Sequence, residues 1–218
     1  MANTTFDKSS GIKDSWRDFL GYSLNRKLAF SSLAVLLIIL FLLSNFLTYN
    51  ETRTGSIIHD PVLALFDPIN LTWSTFTLIY SGLLLGIFHF VKNPPILVRA
   101  VLTYSFLALF RICMMYSIPL DPPVEMISLK DPFVELFGTG NTLDRDLFFS
   151  GHTSTMFMLF LLAYKPLYKK LFLIGVVLVG ASVILQHAHY TIDVLVAPFV
   201  AYASYRISGF VVVRAANR

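Results

Sequence analysis

Two short polar clusters, each at the head of an apolar run, hold the residue types that do chemistry. The first is Asp146-Leu147-Phe148-Phe149-Ser150-Gly151-His152-Thr153 and the second is His189-Tyr190-Thr191-Ile192-Asp193. Ionisable groups beside hydrocarbon-like segments are costly to keep, so by default they mark function. His189 and Asp193 lie four apart at an expected helix start, which puts them on one face. There the carboxylate can accept an imidazole N–H, fix the tautomer and stabilise the imidazolium. The other ring nitrogen is left as a nucleophile. Ser150-Gly151 ahead of a helix offers backbone N–H groups at a positive helix end, which suits phosphate oxygens. His152, on the far side of a phosphorus, could protonate the leaving oxygen. The set fits in-line phosphoryl transfer through a phosphohistidine, with no metal and no cofactor.

Other readings stay open. His152, His189 and Asp193 could be metal ligands, although no further carboxylate or histidine is obviously placed to complete a shell. The histidines could also be polar anchors near a membrane interface, and His59 and His89 are expected to have no catalytic role. His187, two residues from His189, would point elsewhere on a helix and is expected to support its neighbour or to be structural. Cys113, the lone cysteine, excludes an intrachain disulfide and is expected to serve packing.

The elements that position these residues follow from composition. The 218 residues are 56% hydrophobic and only 14% charged, with a mean hydropathy of +0.68, whereas a soluble domain carries about a quarter charged residues. The apolar residues fall into runs near the roughly 20 residues a membrane-spanning helix needs. Six are expected, at about 28–48, 71–91, 96–118, 148–164, 171–188 and 190–212. The fold class is therefore all-α, a polytopic membrane protein with one domain over residues 28–218 and a cytoplasmic N-terminal tail over 1–27. The first apolar run is too long for a cleaved signal, and no small-residue cleavage site follows it. The basic balance does not imply nucleic acid.

Lys and Arg concentrate on the cytoplasmic side of membrane proteins. With both termini cytoplasmic, 13 of the 17 basic residues fall inside, among them Lys92, Arg99, Lys165, Lys169 and Lys170. Ten of the 13 acidic residues fall outside, including Asp121, Glu125, Asp131, Glu135, Asp144 and Asp146. The 36 residues between His152 and His189 then make one helical hairpin that crosses the membrane and returns. Both clusters are expected at the extracytoplasmic face, below the acidic loop 119–146.

At this point the two clusters resemble the core motifs of the lipid phosphatase and phosphotransferase superfamily called PAP2, and within it those of the sphingomyelin synthase branch. Asp146 to Thr153 is similar to an Asp-x-x-[Phe/Tyr]-Ser-Gly-His-Thr segment, and His189 to Asp193 to a His-Tyr-Thr-[Ile/Val]-Asp segment. Arg111 to Tyr116, with the turn from Pro119 to Pro123, is similar to an Arg-bearing helix end and proline turn. The similarity covers about residues 70–205 and implies a PAP2-like bundle of six helices. It implies His189 as nucleophile, Asp193 as its orienting acid and His152 as the acid and then base. Asp146 would support His152 or the head group, and Ser150, Gly151, Arg111 and Tyr190 would hold the lipid. Arg111 has a physical case of its own, because a charge inside a helix needs a partner; either the lipid phosphate or an acidic loop residue would serve.

Two departures refine this expectation. Phosphatases of the superfamily resemble one another in a Lys-x6-Arg-Pro motif and a Ser-Arg pair ahead of the nucleophile. This chain has no Arg-Pro and reads Ser182-Val183 at the second place. A dianionic monoester needs those cations more than a singly charged diester does. Ala188 stands where animal sphingomyelin synthases usually carry Asp or Glu, which leaves the head group open. The expected activity is transfer of a phospho-head group from a glycerophospholipid to a lipid alcohol such as ceramide, or to water, with release of diacylglycerol. The alternatives are a phosphatase of lipid monophosphates or polyprenyl diphosphates, and a non-catalytic lipid-binding or transport protein. The expected partners are membrane lipids.

Overall fold

A computed structural model describes residues 12–130 and 143–216. Residues 1–11 of the expected tail, and Asp131 and Glu135 of the acidic loop, lie outside the described residues. Seven α-helices occur among the described residues: α1 Ile12–Gly21, α2 Ser23–Glu51, α3 Thr72–Phe90, α4 Pro94–Ser117, α5 Gly151–Leu162, α6 Pro166–Leu185 and α7 Thr191–Ala216. Their starts follow from local chemistry. α4 and α6 open on proline, whose fixed φ suits the first helical turn and whose missing N–H is not needed there. α5 opens on Ser150, whose hydroxyl accepts from the Thr153 amide.

Five helices, α2, α3, α4, α6 and α7, are long and apolar enough to cross a bilayer, and the chain is an integral membrane protein of helical type. The expected fourth span, 148–164, is shorter than the sequence suggested. Its helix, Gly151–Leu162, has 12 residues, or about 18 Å against a hydrocarbon core of about 30 Å. It stops because Ala163 and Lys165 are extended ahead of Pro166, and the residue before a proline avoids helical backbone. α5 compensates by enclosure. It packs against α3, α4, α6 and α7 and buries Thr153, Ser154, Thr155, Met156, Met158, Leu159 and Leu162.

Contacts along the helices set their directions. Gly82 and Gly86 of α3 meet Met156 and Leu159 in the same order, so α3 runs with α5. Gly175 and Gly180 of α6 meet Met156 and Thr153 in reverse order, so α6 runs against α5. Met156 fits because Gly175 has no side chain; a Cβ there would lie 2.3 Å from its terminal methyl. Small residues at such crossings let helices approach closely in a membrane. Between α4 and α7, Thr103 and Ser208 share a buried hydrogen bond of 2.8 Å, and Arg99 donates to the Tyr205 carbonyl at 3.1 Å.

As a result the C-terminal ends of α2, α4 and α6 gather with the N-terminal ends of α3, α5 and α7 at one end of the bundle. Arg53, beyond α2, donates to the Met115 and Tyr116 carbonyls at the end of α4. Gln186, beyond α6, donates to Thr72 at the start of α3 and to the Ile127 carbonyl. Ser150, before α5, donates its amide to the Asp193 carbonyl in α7. α1 belongs to the opposite end and lies within the expected tail 1–27. It is amphipathic: Phe19 is buried, Lys13, Arg17 and Asp18 face outward, and Trp16 Nε1 donates to the Val91 carbonyl at 2.9 Å.

Candidate active site

The gathered end brings both clusters together. The rings of His152 and His189 lie edge to face with centroids 6.4 Å apart, a gap on the scale of one phosphoryl group. His152 sits at the second position of α5 and rests against the Phe76 ring of α3, 6.1 Å away. His189 Nδ1 faces Asp193 Oδ2 at 3.3 Å, with both side chains almost fully buried. The partnership expected from the four-residue spacing is present, but its geometry differs. α7 begins at Thr191, so His189 precedes the helix. Asp193, in the first turn, reaches back and also accepts the Tyr190 amide at 3.1 Å. This is the acidic half of a capping box, satisfying an N–H that the helix itself cannot. The same carboxylate therefore starts the helix and orients the imidazole.

Arg111 belongs to α4, and its guanidinium reaches the start of α5. Its guanidinium holds Asp146 through both carboxylate oxygens, with Nε to Oδ1 at 3.0 Å and Nη2 to Oδ2. Of its two expected partners, the structure shows the acidic loop residue, and Asp146 supports Arg111. Gly151 makes this possible. A Cβ at residue 151 would stand 1.4 Å from Arg111 Nη1, so the cation occupies the place of a side chain. A narrow crevice continues from there between α2, α4 and α5, past Leu43, Tyr104 and Thr155.

Several expected site residues are engaged inside the protein. Ser150 is fully buried; its amide meets the Asp193 carbonyl and its hydroxyl meets Thr153. The amides of Gly151 and His152 open α5, where no intrahelical acceptor exists for them. Tyr190 is buried, and its hydroxyl donates to the Asp121 carbonyl at 2.9 Å while accepting the Ile58 amide at 3.3 Å. Val183, at the place where the resemblance would put a phosphatase cation, is fully buried.

The other histidines separate from this centre. His89 lies at the opposite end, stacked between Tyr164 and Tyr168 with ring centroids 3.9 Å from each. His59 is exposed. His187 is buried against Phe66 and adopts a φ of 54°. It closes α6 in a Schellman turn, with its amide bonded to Ile184 and that of Ala188 to Val183. Cys113 is exposed on α4, against the expectation that it packs. Among the described residues no three His, Cys, Asp or Glu side chains converge as a metal's ligand set.

The arrangement can hold a nucleophilic imidazole oriented by a carboxylate, face it with a second imidazole, and place a helix N-terminus and an arginine beside them. Residues 145–209 match the family model described as PAP2 superfamily C-terminal. That stretch, under a third of the chain, contains both histidine clusters. No curated protein matches the chain.

Sequence reasoning missed two residues around the two histidine clusters. Asp60, in the connection 52–71, accepts the Thr191 amide at 2.6 Å and the Thr191 hydroxyl at 3.0 Å. Burial pushes its carboxyl up, but the amides of Thr191 and Val62 and the Thr191 hydroxyl outweigh this and hold it below the ordinary aspartate value. Nothing in its own segment announced this, since its partner lies 131 positions away. Gln186 is fully buried and also accepts the Leu71 amide. A polar residue closing an apolar run was a signal available for it.

Proposed function

We propose that this protein is a membrane phosphotransferase. It moves a phospho-head group from a glycerophospholipid to a lipid alcohol of the ceramide type, or to water. His189 attacks phosphorus with the ring nitrogen that Asp193 does not hold. The bond from phosphorus to the diacylglycerol oxygen breaks, and His152 protonates that oxygen as it leaves. His152 then takes the proton of the acceptor hydroxyl, whose oxygen attacks phosphorus and releases His189. The observation that carries this reading is the fully buried Asp193 bonded to His189 with His152 facing it at 6.4 Å. An anchor at an interface has no use for a buried carboxylate on its imidazole, and a lipid-binding protein needs no nucleophile.

Diester transfer is preferred to monoester hydrolysis because the arginines at this end have other partners. Arg111 holds Asp146, Arg145 holds Asp121, and Arg53 holds helix-end carbonyls. With Val183 apolar, a dianionic phosphate would meet few uncommitted charges. A phosphatase of lipid monophosphates is the second reading, favoured by the closeness of Arg111 to the start of α5.

The charge distribution supports an extracytoplasmic site, with the termini and the Lys165 to Lys170 turn cytoplasmic and residues 28–218 as one domain. In this reading α5 and the residues that flank it make the sixth crossing. The test uses purified protein in lipid nanodiscs. Diacylglycerol release from a phosphodiester lipid should outpace phosphate release from phosphatidic acid by about one to two decades, the value of one missing charge-assisted contact. Added ceramide should collect the head group. Faster hydrolysis of the monoester would favour the phosphatase.

A further inference from the structure

The dyad is held from outside its own motif. Between His189 and Asp193 lie Tyr190, Thr191 and Ile192, and the connection 52–71 grips the first two of these. The Ile58 amide donates to the Tyr190 hydroxyl, and Asp60 accepts from both the amide and the hydroxyl of Thr191. Asp60 is itself fixed by the Val62 amide at 2.9 Å. The same connection is joined to the opposite loop, where Ser56 exchanges backbone bonds with Pro119 and Asp121.

We propose that Asp60 is a positioning residue for the His189–Asp193 dyad, acting by occupying the first amide of α7. The argument is one of competition. Amides in the first turn of a helix need acceptors from outside the helix's own ladder. Asp193 Oδ2 already serves Tyr190 N and His189 Nδ1, and its Oδ1 is buried without a hydrogen-bond partner among the described residues. Without Asp60 the Thr191 amide loses its acceptor, and the Asp193 carboxylate in the same first turn becomes its competitor. Turning toward that amide withdraws Oδ2 from His189, and the imidazole loses the bond that sets its tautomer. The negative charge of Asp60 near the dyad also favours the cationic phosphoimidazolium that forms when His189 attacks phosphorus.

This inference rests on the transferase reading for its kinetic consequence, while its structural consequence is read without substrate. The experiment uses the full chain in nanodiscs, wild type and variants, with ¹⁵N-histidine NMR and diacylglycerol release as paired readouts. Asp60→Ala should change the His189 signal from one tautomer to a mixture. It should lower kcat about 10- to 100-fold, the effect of a misplaced reacting group, with KM unchanged within about twofold. Adding Thr191→Pro removes the amide that Asp60 serves, at a helix position where proline is favoured, and should restore both readouts toward wild type. Asp60→Asn keeps one acceptor oxygen and should fall between wild type and Asp60→Ala; it carries the test if Asp60→Ala does not fold. Wild-type kcat and tautomer in both Asp60 variants would overturn the proposal, as would a loss expressed in KM alone or a failure of Thr191→Pro to rescue. An Asp60-dependent tautomer in a protein that turns over no phosphodiester would overturn the transferase reading instead.

Discussion

Gly151→Ala is the smallest change that probes the architecture of the site. The new methyl would stand 1.4 Å from Arg111 Nη1, 2.3 Å from Cζ and 2.8 Å from Nη2. Ordinary contact begins near 3.4 Å, so the guanidinium must retreat by about 2 Å. A shift of that size strains the grip on Asp146, because the Nε to Oδ1 bond is already 3.0 Å long and hydrogen bonds fail a few tenths of an ångström beyond that. The pair is largely enclosed, with side-chain exposures of 15% and 20%. Breaking a buried pair by removing one partner costs about 3–5 kcal/mol, and each charge-assisted bond about 1.5–3 kcal/mol. Because both groups persist and can regain some water, a loss of about 2–4 kcal/mol is expected. Denaturant unfolding in detergent measures it. Arg111→Met removes the obstruction, so Gly151→Ala should cost much less in that background, giving a strongly non-additive cycle. A cost below about 1 kcal/mol in the wild-type background, or additive costs, would refute the reasoning.

Two further predictions follow from charge. The Arg145 side chain holds the Asp121 carboxyl below its ordinary value, so its stabilisation is complete at neutral pH and is lost as pH falls through and below about 4. Asp121→Asn should lower the unfolding midpoint at pH 7 and flatten its decline between about pH 5 and 3; an unchanged acid slope would contradict this. In a Cys113→Ser background, an impermeant maleimide added outside should modify Lys130→Cys and spare Lys169→Cys, and the opposite labelling would place the site on the cytoplasmic face.

The meeting of His152 with His189 and Asp193 was legible in the sequence because it rests on two robust regularities. Apolar runs set the crossings, and a four-residue spacing at a helix start brings side chains together. The length of α5 was not legible, since Phe148, Phe149 and Tyr164 extend the apolar run without extending the helix, and the proline that shapes its end acts through the backbone of the preceding residue. α1 was hidden because ten residues of mixed polarity give no bilayer-length signal; its apolar face shows only once Phe19 and Trp16 are seen against the bundle. Asp60 and Gln186 were invisible for a different reason. Both act mainly on backbone or side-chain groups more than 50 positions away, and aperiodic connections carry no pattern that reports such contacts. The partner of Arg111 was narrowed to two by the cost of a buried charge, and only geometry chose Asp146.

The central claim is that His189 carries the phospho-head group. Protein mixed briefly with a phosphodiester lipid labelled in its head group, and quenched in alkali where phosphohistidine survives, should retain label on the peptide containing His189. His152→Ala should slow both formation and discharge of that label, Asp193→Asn should sharply lower the amount formed, and His189→Ala should abolish it. Label that survives in His189→Ala, or turnover at the wild-type rate in that variant, would contradict the account.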